Sequence, residues 1–305
     1  MSAKVAGMGA ALRFVIVNSI STTLGTESVD ILHGMAHSDS IGNTQNPTAR
    51  HLLLNLMLAA EHEVLGAAEA VQACALFGIS SNAARVALAR LVRADLLESS
   101  ERSEYRLGSK GRALGSDVAT WRQSGRSTRV WDGGWIAVLT SGHARSDRKA
   151  LRRRERALAL VGMRELDPGL YVRPDNFATG VQGTRERLQA LGLESATPVF
   201  VARGFDARRE TTAHRLWPKA VLERGYRETT SSLERSLARL DALSPRAAAR
   251  EAFLLGDRAV RQLVFDPMLP EPLISAELRK GFFEVVRRYD AAGVRIWRRF
   301  VQLGC

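Results

Sequence analysis

GAAEAVQACALFGISSNAARVALARLVRADLLESSERSEYRL, residues 66–107, decides the reading of this chain. An apolar helical repeat over about 67–76 stops at Gly78, a residue type suited to ending a helix. Ser80 or Ser81 then offers a side-chain oxygen to cap the next helix. That helix is expected over 82–93, with Ala84, Ala87, Leu88 and Leu91 as its apolar stripe. Asn82, Arg85, Val86, Ala89 and Arg93 fall on the opposite face. Two short segments, 96–99 and 104–107, flank a polar turn and predict a hairpin with one face on the core. Helix, tight turn, helix and two-stranded wing is the order of a winged helix-turn-helix. That fold lays its second helix in the major groove of double-stranded DNA.

The expected DNA-contacting set is Ser81, Asn82, Arg85, Val86, Ala89 and Arg93 on the helix, with Arg102 and Arg106 on the wing. Arginine pairs bidentately with guanine and asparagine with adenine, so Asn82 and Arg85 are placed at base edges and Arg93 nearer the backbone. The competing reading is a protein-binding winged helix whose polar face is only solvated. The wing is acidic: Glu98, Glu101 and Glu104 surround Arg102, and carboxylates beside phosphates repel. The wing is therefore expected to contribute little, or only through Arg102 and Arg106.

Working outward, residues 1–46 are rich in Ser, Gly, Thr and Asn and read as a disordered extension or a mis-called start, with Met35 an alternative beginning. His33 and His37 have the i, i+4 spacing of metal ligands, but Gly34 and the polar setting argue against a helix there. The winged helix is expected over 47–114, opened by a helix carrying Leu52, Leu53, Leu56 and Met57. A Ser-, Gly- and Arg-rich linker follows at 115–130. Residues 131–212 read as β-α-β-α-β: strands over 135–140, 169–173 and 198–202, and helices over 148–161 and 185–191. That order suggests a ferredoxin-like α/β sandwich. Residues 213–305 read as a helical C-terminal domain interrupted by Phe265-Asp266-Pro267-Met268-Leu269-Pro270, since proline breaks a helix. The expected class is thus a multidomain α+β protein.

The net charge is +12, and only Lys4, Lys110, Lys149, Lys219 and Lys280 among the 44 basic residues are lysine. A basic balance favours a polyanionic partner without identifying it; coding bias accounts for much of the arginine preference. Two cysteines, Cys74 and Cys305, form no disulfide framework or zinc spacing, which fits a reducing cytoplasm. No apolar run reaches the roughly 18 residues of a membrane span, so no membrane partner is expected.

Catalytic signatures are scarce. The chain has no phosphate-binding loop and no nucleophile elbow. Glu61-His62-Glu63 reads as a solvated helix end, and Asp167-Pro168-Gly169 as a turn. The run Arg152-Arg153-Arg154-Glu155-Arg156, extended by Arg145 and Arg148, suits DNA or an anionic ligand, but a solvated helix face is favoured. No catalytic residue, metal site or cofactor is expected.

Three segments together resemble the PaaX-type transcriptional regulators, the phenylacetate-degradation repressor family. They are GISSNAARVALARLVRADLLE with YRLGSKGRAL; WDGGWIAVLT with LDPGLYVRPDN; and LLGDRAVRQLVFDPMLPEPL. The first is shared by many winged helices, whereas the last two are more specific in this order. The resemblance spans about 47–303 and is that of a distant member. It implies a homodimeric repressor of a catabolic operon, bound to a pseudo-palindromic operator and released by an acyl-CoA effector. It also implies a middle domain similar to the small fold of a CRISPR-associated nuclease. Here the WIAVLT strand does not end in an aspartate, which speaks against a metal-dependent nuclease using this domain, the alternative reading of another class. The Asp266–Pro270 motif is expected to be structural.

Overall fold

The computed structural model describes residues 46–59, 64–100, 103–112, 128–142 and 147–302. The readings placed on residues 1–45, on Glu61-His62-Glu63, on Glu101, Arg102 and Arg145, and on most of the linker lie outside these. The protein is a mixed α/β chain with two small antiparallel sheets and a helical C-terminal region. It divides into two compact units. One comprises Met1–Thr120, Thr229–Val264 and Phe283–Cys305; the other comprises Trp121–Glu228 and Phe265–Phe282. The C-terminal helical residues thus contribute to both.

In the first unit, α1 (Ala49–Ala59), α2 (Ala67–Ala75) and α3 (Ser81–Arg93) pack against one another. Leu52, Leu53, Leu54, Ala70, Ala73, Ala84, Leu88 and Leu91 of these helices are buried. Three short strands follow the order β1-β3-β2: Leu65–Gly66, Leu97–Ser99 and Glu104–Leu107, with β3 in the middle. Strand β1 is too short to be legible as a pattern; only pairing with β3 makes it a strand. From the C-terminal region come the end of α7 (Lys219–Leu237), α8 (Pro245–Val264) and most of α9 (Ala276–Gln302).

The second unit is built on a four-stranded antiparallel sheet of order β5-β6-β4-β7. The strands are β4 (Trp135–Leu139), β5 (Arg164–Asp167), β6 (Leu170–Pro174) and β7 (Val199–Ala202). Helix α4 (Arg148–Leu160) joins β4 to β5, and α5 (Gly180–Ala190) joins β6 to β7. Ile136, Val138, Ala157, Leu158, Leu188 and Val199 form the shared core. The order is β-α-β-β-α-β, one strand more than the β-α-β-α-β expected. The missing strand, RELD, has a single hydrophobe among its four residues and so shows no apolar alternation. The last residues of the expected linker are fastened to this sheet: Thr128 bridges Phe177, and the Arg129 amide donates to the Asn176 carbonyl at 2.8 Å. A further helix, α6 (Ala207–Arg215), was not expected; only its Ala213 is buried.

Candidate nucleic-acid interface

Helix α3 begins where its sequence says it should. Ser80 is extended, with φ −64° and ψ 153°, and its Oγ accepts a hydrogen bond from the Ala83 amide at 3.2 Å. This satisfies one of the otherwise orphaned amides of the first turn. The turn before it uses Gly78 at φ 73°, where a side chain would be strained. Once the helix is set, its period fixes the faces. Ala84, Ala87, Leu88 and Leu91 are buried, while Ser81, Asn82, Arg85, Val86, Ala89 and Arg93 are exposed. Five of these six, from Asn82 to Arg93, lie within about 100° of arc at 100° per residue, forming one outward stripe. Arg90, absent from the expected set, borders the same stripe and is exposed as well. Among the described residues, none of Arg85, Arg90 and Arg93 pairs with a carboxylate.

The turn that aims α3 is held from behind by the C-terminal helices, which sequence reading did not foresee. Phe77 is buried; its ring lies 5.3 Å from Phe253 of α8 and stacks on Trp297 of α9 at 6.5 Å. Asn46 donates to the Phe77 carbonyl at 3.3 Å, and Arg250 donates to Asn46 at 2.9 Å. Beside this aromatic contact, His51 of α1 meets Asp257 of α8 at 2.8 Å, and Arg261 also donates to Asp257. Every group in this clamp belongs to the first unit.

On the β2–β3 hairpin, Arg106 is exposed and sits across the ladder from Glu98. Glu98 in turn meets Arg112 at 3.1 Å, both ends being about half exposed. Such a pair is worth little energetically, yet it offsets one of the wing's negative charges. The base of the wing is tied down by Asp95. Its carboxylate accepts from the Ser109 hydroxyl and from the Ser109 amide, which hold it below the ordinary carboxylate range.

The second and third segments of the resemblance meet in the other unit, and their meeting is structural. Arg173 is fully buried. Its guanidinium donates to the carbonyls of Val161, Pro174 and Pro267 and to Asn176 Oδ1, and it lies 3.5 Å from the Phe177 ring centre. Asn176 reaches the Met268 carbonyl at 2.7 Å. Tyr226 donates to Asp266, whose other oxygen accepts from the Met268 amide at 2.7 Å. Burial pulls the Arg173 guanidinium down to about 9, with Asp175 and Asp266 opposing that shift; it stays charged at neutral pH. Burial likewise raises the Asp266 carboxyl and the Tyr226 phenol. The close fit extends to the backbone. A Cβ on Gly162, which has φ 77°, would stand 2.9 Å from the Pro267 Cα. Among the described residues, no three His, Cys, Asp or Glu side chains gather to hold a metal ion.

The basic run on α4 divides. Arg154 is buried and forms a two-pronged pair with Glu194, at 3.1 and 2.8 Å. This corrects the expectation of a uniformly solvated run. The cause is phase: Arg154 shares a helix face with Ala157 and Leu158. Arg148, Lys149, Arg152 and Arg153 are exposed.

Residues 217–299 match the model of the PaaX-like protein C-terminal domain. Over that stretch the chain is similar to PaaX-like proteins. Among solved structures it is similar to an uncharacterized protein, Rv0674, from Mycobacterium tuberculosis. The identity is 25%, the match covers 83% of this chain and 98% of that one, and the TM-score is 0.56. No curated protein matches. No helix among the described residues is long and apolar enough to cross a membrane.

Proposed function

We propose that the protein is a sequence-specific DNA-binding transcriptional regulator, acting as a repressor, and that residues 47–114 form its winged helix-turn-helix. The observation that carries this reading is the outward stripe of α3. It joins a bidentate donor in Arg85, a donor–acceptor amide in Asn82, an exposed methyl pair in Val86 and a backbone-range cation in Arg93. A helix that reads base edges needs that mixture. The strand and helix order of the second unit, with its antiparallel 2-3-1-4 sheet, supports the ferredoxin-like reading of the middle region. By its resemblance the protein works as a cytoplasmic homodimer on a pseudo-palindromic operator, its two α3 helices about one DNA turn apart. An acyl-CoA that binds the DNA-incompetent form more tightly would release it.

The test is a mobility-shift comparison of an operator duplex from the protein's own promoter with a scrambled duplex. Arg85→Ala is expected to abolish the preference, a loss on the order of 1–3 kcal/mol for one bidentate contact, while thermal melting stays unchanged. Undiminished preference overturns the assignment of α3. Acyl-CoA esters such as phenylacetyl-CoA are expected to raise the melting temperature and weaken operator binding.

A further inference from the structure

Helix α4 carries its cations in an arrangement that costs the isolated fold. Arg148, Arg152 and Arg156 recur at i, i+4 and i+8, and Lys149 and Arg153 lie beside them, all on the side away from Ala157 and Leu158. Like charges at this spacing repel along a helix. Arg148 and Lys149 also occupy the first turn, where the helix dipole disfavours a cation and where the N-cap Asp147 supplies the carboxylate. Among the described residues, Arg148, Lys149, Arg152 and Arg156 have no carboxylate partner. Elsewhere in the same unit some exposed arginines have one, while Arg164, Arg208, Arg215 and Arg224 do not among the described residues. Arg209 meets Asp167 and Asp206, Arg203 meets Asp132, and Arg227 meets Glu223. Arg156, at the far end of the stripe, is half-buried, and that burial lowers its guanidinium to about 10.

We propose that the outward face of α4 is a second, sequence-independent contact to the DNA backbone, additional to the α3 contact on whose reading it rests. From Arg148 to Arg156 the stripe runs about 12 Å at 1.5 Å per residue. An isolated phosphate engages only one or two of the five cations. Duplex DNA, with one negative charge per roughly 1.7 Å of axis, engages a stripe of this length continuously. The face offers no base-reading amide and no exposed apolar group, so it holds without selecting.

The experiment measures the salt dependence of DNA binding by the full chain on the operator and scrambled duplexes. The triple variant Arg148→Gln/Lys149→Gln/Arg152→Gln keeps good helix formers. It is expected to reduce the slope of log affinity against log salt by about 2–3 on both duplexes and to leave their affinity ratio unchanged. A control triple, Arg246→Gln/Lys280→Gln/Arg288→Gln, removes the same charge from exposed positions elsewhere and is expected to leave the slope near the parent value. A parent-like slope in the α4 triple overturns the proposal, as does an equal loss in the control. A parent-like slope accompanied by lost thermal protection from pyrophosphate also overturns it, assigning the face to a small phosphate ligand instead. Arg85→Ala keeps the two readings apart. Retained selectivity in that variant defeats the α3 reading, whereas the α4 contact is judged by the slope alone.

Discussion

Helices α3 and α4 are both thirteen residues long, both capped at their N-termini by a side-chain oxygen, and both rich in arginine. They use that arginine differently. On α3 every basic residue is outside, spaced among Asn82, Val86 and Ala89, and the inner face is purely aliphatic. On α4 the outer face is almost uniformly cationic, and one arginine has been taken inside to hold Glu194. The difference teaches that charge alone does not mark a reading surface. A surface that discriminates base pairs needs donors, acceptors and methyls at fixed spacing, whereas one that only holds the backbone needs charge density.

The largest effect expected from this contrast is on stability. Arg154 is the one basic residue of either helix that is buried against an acid, its side chain 5% exposed and that of Glu194 27% exposed. Removing Arg154 takes two charge-assisted hydrogen bonds from the Glu194 carboxylate. Arg154→Ala is expected to lower the unfolding free energy by about 3 kcal/mol in denaturant titration. Arg152→Ala, two residues away on the outer face, is expected to change it by less than about 0.5 kcal/mol. Equal effects would dissolve the division of α4 into a holding side and a facing side.

That division was partly legible. Arg154 stands three and four residues before Ala157 and Leu158, so its phase already placed it inside; the surrounding arginines concealed it. Helix α3 was legible almost to the residue because its signals are local: a glycine stop, a serine cap and an unbroken 3.6-residue period. What escaped was set by distant partners. Strand β5 exists because Arg164–Asp167 folds back on Leu170–Pro174 across a proline-glycine turn, not because of its own composition. The Arg173 network joins residues more than ninety positions apart, so the two motifs were visible and their contact was not. The packing of Phe253 and Trp297 behind the α2–α3 turn was hidden in the same way.

A smaller effect separates the two helix starts. Ser80 caps α3 through the Ala83 amide, and Asp147 caps α4 by accepting from the Lys149 and Ala150 amides, both at 3.0 Å. Either cap replaced by alanine is expected to cost about 1 kcal/mol in thermal or chemical unfolding. Only Ser80→Ala is expected to weaken operator preference as well, because fraying the first turn of α3 displaces Asn82 while α4 reads no bases. If Asp147→Ala erodes preference equally, the functional distinction between the helices is wrong.

The smallest effect probes the feature of α3 that α4 lacks altogether, an apolar group on the outer face. Val86 is 41% exposed between Asn82 and Arg90, and nothing in the fold requires a β-branched residue there. Val86→Ala is therefore expected to leave stability within about 0.5 kcal/mol. Its effect should instead appear on DNA, where apolar side chains recognise the thymine methyl in the major groove. Replacing operator thymidines one at a time by deoxyuridine removes that methyl and little else. The parent protein is expected to lose a few-fold in affinity at one position in each half-site, and Val86→Ala to be insensitive at that position. Equal sensitivity of both proteins would mean that Val86 faces solvent in the complex, which would narrow the reading surface of α3 to its polar groups and bring it closer to α4.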